Sequence, residues 1–72
     1  MDIKIYSKEN CDFCNKSKML LNMKGITFTN LMLDVDYTLE QLKELVPSAR
    51  TFPIIFIDDI YIGGYNELRT KI

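Results

Sequence analysis

From Met1 to Tyr6 the chain alternates, Ile3-Lys4-Ile5-Tyr6 at its centre, with the two-residue period of a strand. Ser7–Asn10 is polar and reads as a loop. The period then lengthens. Leu20 and Leu21 follow Cys14 and Ser17 at three- and four-residue spacings, so Asn15–Lys24 reads as a helix with one buried stripe, closed by Gly25. Lys16, Lys18, Asn22 and Lys24 fall on its solvated side, and Met19 and Met23 are expected to pack at the edge of the stripe. Ile26–Leu33, with Thr27, Phe28 and Thr29 near its start, has the β-branched and aromatic content of a second strand. Asp34-Val35-Asp36 leads out of it. Thr38 with Gln41 is a capping-box pattern, and Leu39, Leu42, Leu45 and Val46 then mark a helix that Pro47 stops. Ile54–Ile57 is a continuous apolar run, as in a strand covered on both faces. Asp58-Asp59 turns the chain into Ile60–Ile62. Gly63-Gly64 breaks that strand, and Asn66–Ile72 reads as a short last helix.

The order is β-α-β-α-β-β-α, an α/β pattern. A helical crossover makes the first two strands parallel neighbours, and the tight turn makes the last two an antiparallel hairpin. The chain has 72 residues, which predicts one domain over 1–72, near the lower limit for a single core. A hydrophobic content of 47% argues against disorder. Nine basic and ten acidic residues leave a net charge of -1, which gives no footprint for nucleic acid or an acidic membrane. No apolar run approaches the length of a membrane span, and the first residues lack the pattern of a signal peptide. Two cysteines are too few for a secreted disulfide framework, so a reducing cytoplasm is the expected setting.

Those two cysteines, Cys11 and Cys14, sit three apart where the first strand hands over to the first helix. A C-x-x-C at such a junction is the sequence form of a dithiol redox site. The first cysteine meets the free N–H groups and dipole of the helix start, which favour its thiolate, and the thiolate is the nucleophile. The second lies about one turn on, within reach to form or resolve a disulfide. A purely structural disulfide would close so short a loop that it removes only about 2 kcal/mol of chain entropy. Zinc needs about four ligands, and two cysteines without a histidine do not supply them in one chain. Two inert buried thiols are the remaining alternative. Pro53 fits a strand entry and, as a sharper reading, a cis-proline exposing the backbone of Phe52. Gly63-Gly64 reads either as a loop needing positive φ or as an anion site at the following helix.

Three stretches in this order resemble the glutaredoxins, small thioredoxin-fold proteins that use glutathione. They are Tyr6-Ser7-Lys8-Glu9-Asn10-Cys11-Asp12-Phe13-Cys14, then Ala49 to Ile57 around Thr51-Phe52-Pro53, and Ile62-Gly63-Gly64-Tyr65-Asn66-Glu67-Leu68. The resemblance implies a thioredoxin-like, four-stranded mixed sheet of order 2-1-3-4 flanked by three helices. It implies Cys11 as nucleophile and Cys14 as resolving thiol. Thr51 and Phe52, before a cis Pro53, would pair with the cysteinyl part of glutathione. Lys8 would meet the glycyl carboxylate, while Gly64, Tyr65 and Asn66 would hold the γ-glutamyl end. Phe13 takes the place of the family's tyrosine beside the thiols. Asp12 stands where the family has proline, Phe52 where it has valine, and Asn66 where it has an acid facing the glutathione ammonium.

The expected function is glutathione-dependent reduction of protein disulfides and glutathione mixed disulfides by a monomer, with glutathione as cosubstrate and no metal. Ribonucleotide reductase is one candidate among the protein substrates. Two alternatives stand beside it. One is a hydrogen donor recharged by thioredoxin reductase; the other is an iron–sulfur module built on Cys11 and glutathione.

Overall fold

The computed structural model describes all residues from Met1 to Ile72. The elements are β1 (Ile3–Ser7), α1 (Asp12–Met23), β2 (Thr29–Met32), α2 (Leu39–Leu45), β3 (Ile54–Ile57), β4 (Ile60–Gly63) and α3 (Tyr65–Lys71). They build one sheet of order β2-β1-β3-β4, as the resemblance implies. β1 and β2 run parallel, from Lys4 opposite Thr29 to Ser7 opposite Met32. β1 and β3 are antiparallel, from Ile3 opposite Ile57 to Tyr6 opposite Ile54. β3 and β4 form the antiparallel hairpin, with a register shift between Ile55 and Phe56. Asp58 and Asp59 both take positive φ, 51° and 66°, as a two-residue hairpin turn whose twist matches its strands requires. No helix is long and apolar enough to cross a membrane.

Alternation along β1 and β3 sends side chains to both faces of the sheet. Ile3, Ile5 and Ile55 meet Leu21 of α1 and Leu68 of α3 on one face. Ile54 meets Tyr37, Leu42 and Val46 on the other, under α2. The continuous apolar run of β3 is therefore covered on both sides.

Several boundaries differ from the sequence expectation. α1 starts at Asp12, three residues before the expected Asn15, because Cys11 takes the N-cap. α3 starts at Tyr65, one residue early. β2 is shorter than Ile26–Leu33 and begins at Thr29. Ile26 and Phe28 instead pack on the Leu21 core. Their apolar character reflects that packing and not strand pairing.

Met19 and Met23 do not pack at the stripe's edge; they are 61% and 79% exposed. The stripe is Cys14, Ser17 and Leu21, and each methionine lies two residues past a stripe position, about 200° round the helix. Lys18, expected in solvent, is half-buried. In α2, Leu42 and Val46 carry the burial, while Leu39 and Leu45 stay exposed.

Candidate active site

β1 ends at Ser7, and Lys8–Asn10 carries the chain to α1. Asn10 turns it with φ 56°, a left-handed conformation that asparagine tolerates. Cys11 follows in extended conformation as the N-cap of α1, and its Sγ accepts the N–H of Cys14 at 3.2 Å. The sulfur thus satisfies one of the free donors of the helix start, a position that favours negative charge on it. Asp12 is acidic in the first turn, which the same dipole favours. Cys11 and Cys14 are joined as a disulfide, with Cα atoms 5.2 Å apart. Their exposure is unequal: 8% for Cys11 and 0% for Cys14. Cys14 belongs to the buried stripe that seats α1 on the sheet, so only Cys11 presents any surface to a partner.

Beside the dithiol runs a groove of about 320 Å³. Phe13, Thr51, Phe52, Pro53, Gly64, Tyr65 and Asn66 line it, so residues from three separated stretches of sequence converge on one surface. Phe13, the residue after Asp12 in α1, leans on Tyr65 with ring centroids 5.9 Å apart. That contact joins the starts of α1 and α3. The Phe52–Pro53 bond is cis. Opposite it, Gly64 comes so close that a Cβ there would lie 3.2 Å from the Pro53 carbonyl oxygen. A side chain at Gly64 would push the two walls apart.

Lys8 is placed differently from the other expected residues. It does not line the groove; its Nζ stands 5.3 Å from the centroid of the Phe52 ring. Phe52 is therefore contacted by Lys8 while it forms part of the groove wall.

Three residues of the site were not singled out in the sequence. Tyr61 lines the groove and packs on Phe56 at 5.8 Å; alternation with Ile62, which packs on the core, is the signal that aims it the other way. Glu67 also lines the groove, and its Oε1 accepts the Gly64 N–H at 2.7 Å. An acid three residues past an N-cap, here Gly64, is the signal for that contact. Tyr37 lies behind the site. Its hydroxyl donates to the Ser7 carbonyl at 2.7 Å, and its ring meets Tyr6 edge-on at 5.0 Å. Burial pushes the Tyr37 phenol up to about 12, with Tyr6 and Asp34 adding to the effect. Its location beside Asp34 in a connecting segment carried no pattern.

A dithiol at a helix start, a cis-proline beside it and a mixed sheet of this order define a thioredoxin-fold oxidoreductase. The glutaredoxin family model matches residues 3–62. Glutaredoxin 3 of Escherichia coli K12 is 36% identical over 67 residues, covering 93% of this chain and 81% of that protein. Among solved structures, a buckwheat glutaredoxin–glutathione complex superposes with a TM-score of 0.81 at 26% identity, over 96% of this chain and 66% of that one. The glutaredoxin-like NrdH-redoxin of Escherichia coli, described as having a thioredoxin-like activity profile, superposes at 0.73 with 25% identity, over 97% and 93%. The chain belongs to the glutaredoxin family, thiol–disulfide oxidoreductases.

Proposed function

We propose that the protein reduces protein disulfides and glutathione mixed disulfides, with Cys11 as nucleophile, Cys14 as resolving thiol and glutathione as reductant. The observation that carries this reading is the unequal pair: a partly exposed sulfur at the N-cap of α1 and a fully buried one behind it. The Cys11 thiolate attacks one sulfur of the substrate disulfide and forms a mixed disulfide, releasing the other substrate sulfur as thiolate. Cys14, deprotonated, attacks Cys11 Sγ, releasing the second substrate thiolate and closing the Cys11–Cys14 bond. Two glutathiones reopen that bond by the same two exchanges and leave as glutathione disulfide. One disulfide is reduced and one formed, so the electrons balance.

The groove is of a size for a small peptide ligand. Thr51 and Phe52 would pair with the cysteinyl backbone of glutathione, with Gly64, Tyr65 and Asn66 at its γ-glutamyl end and Lys8 toward the glycyl carboxylate. In this reading the protein works as a monomer in a reducing cytoplasm, and ribonucleotide reductase is a candidate among its disulfide substrates.

Turnover of the glutathione–mercaptoethanol mixed disulfide, coupled to glutathione reductase, tests the proposal. Wild type turns over, Cys11→Ser is inactive, and Cys14→Ser keeps activity, because this substrate needs one thiol only. Equal loss in both variants would refute the assignment. Recharging by thioredoxin reductase is the second reading, favoured by the NrdH-redoxin likeness and by uncharged Asn66 where the family has an acid. Turnover of a protein disulfide driven by thioredoxin reductase, with none driven by glutathione, would select it.

A further inference from the structure

We propose that Met19 and Met23 on α1 are an oxidation site: they take up hypochlorous acid as methionine sulfoxides and so spare the Cys11–Cys14 disulfide. The exchange reaction uses neither residue, and neither lines the groove. They are 61% and 79% exposed and belong to neither core. Leucine would serve as well at positions that pack against nothing; what methionine adds is a thioether sulfur in solvent. Four residues apart, the two side chains are neighbours on the helix face turned away from the sheet. Along the helix axis they stand about 8 and 14 Å beyond Cys14.

Two features single them out. The first is the inventory of oxidisable groups. With Cys11 and Cys14 joined, no free thiol remains. The chain has no tryptophan and no histidine. Its methionines are therefore the readiest acceptors of an oxygen atom. Met32 is half-buried in β2, and Met1, 68% exposed, sits at the chain end. The second feature is tolerance. A sulfoxide makes methionine polar, which disrupts a core. Here it adds polarity to a face already in water, and Leu21, which seats α1 on the sheet, is untouched. The net step transfers one oxygen atom. An S–O bond forms to the thioether sulfur as the O–Cl bond of hypochlorous acid breaks. Chlorine leaves as chloride with the bonding pair, and the proton passes to water. Sulfur loses two electrons and chlorine gains them. Methionine sulfoxide reductases return a sulfoxide to the thioether, whereas a cysteine driven to sulfonic acid is lost.

The test titrates the disulfide form with hypochlorous acid, wild type beside Met19→Leu/Met23→Leu, and maps oxygen uptake by peptide mass spectrometry. In wild type, sulfoxide builds up at Met19 and Met23 ahead of Met32 and before any oxygen reaches Cys11 or Cys14. Half of the disulfide is lost only after about two more equivalents of oxidant per chain than in the double variant, one for each missing thioether. Met1 is common to both proteins and cancels. Wild type carrying both sulfoxides turns over the glutathione–mercaptoethanol mixed disulfide at the rate of the untreated protein. Met32 oxidised in step with the pair overturns the proposal, as do equal equivalents for loss of the disulfide in both proteins. So does turnover that falls as the pair is oxidised while the disulfide is intact. An untreated protein without turnover removes the exchange reading alone, because the mass map still gives the order of oxidation.

Discussion

Tyr37 fixes the strand that delivers the dithiol. Its hydroxyl donates to the Ser7 carbonyl, which also accepts the Leu33 N–H at 2.9 Å. Its backbone carbonyl accepts the Asp34 N–H at 2.7 Å. Burial makes this phenol resist ionisation, and its value near 12 has a consequence for stability. The unfolded chain ionises near the ordinary value of 10 and the fold only near 12. The contribution is therefore complete below pH 10 and lost as pH rises toward 12. Tyr37→Phe should cost about 1 kcal/mol at pH 8, because Ser7 keeps its second donor. The wild-type advantage should vanish and then reverse between pH 10 and pH 12, a change on the order of 2 kcal/mol at most. Urea unfolding of both proteins at pH 8 and pH 11 checks this; a wild-type advantage undiminished at pH 11 would contradict the linkage. At this scale the sequence was uneven. Cys11 and Cys14 were legible because their chemistry is carried by residue type and spacing, whereas Tyr37 acts through contacts across thirty positions that no local pattern records.

α1 is held at both ends by geometry that its sequence encodes. At the start Cys11 caps it. At the end the Gly25 N–H reaches the Asn22 carbonyl at 3.1 Å and the Ile26 N–H reaches the Leu21 carbonyl at 2.9 Å. These two bonds and the packing of Ile26 on the Leu21 core make a Schellman stop. Gly25 adopts φ 70° with nothing within 4 Å of a Cβ. Gly25→Ala meets no clash, and its cost is the left-handed backbone alone, about 1 kcal/mol. Chemical denaturation should show that loss with an unchanged slope; no loss would mean the turn relaxes without the glycine. Helix ends marked by Gly25, Thr38 and Pro47 were readable because capping is local. The extent of β2 was not, since Ile26 and Phe28 are apolar for the core and not for the ladder. The exposure of Met19 and Met23 was likewise hidden: methionine suits a core, and only the phase of the stripe shows that they face away from it.

Across the whole molecule β3 is the common wall of two cores, with Ile55 facing α1 and α3 and Ile54 facing α2. The strand run and its two-sided cover were readable from four consecutive apolar residues. Convergence of Phe13, Phe52 and Tyr65 on one groove was not readable from periodicity, because it depends on how the helix starts meet above the sheet; motif resemblance supplied it. A chain of this length has a stability of only about 4–11 kcal/mol, so a small loss in the shared wall is a large fraction of the total. Ile55 is fully buried between Ile5, Leu21 and Leu68, while Ile60 at the hairpin is 67% exposed. The same deletion of one methyl group separates burial from strand propensity, since valine suits a strand as well as isoleucine does. Ile55→Val should cost about 1 kcal/mol through lost packing and the void left behind, lowering Tm by roughly 5 °C for a chain of this size. Ile60→Val should stay within about 0.5 kcal/mol. Thermal melts of the oxidised proteins, followed by circular dichroism, compare the two directly. An equal fall in Tm at both positions would mean that the hairpin, and not the wall between the cores, limits the stability of the fold that holds Cys11 in place.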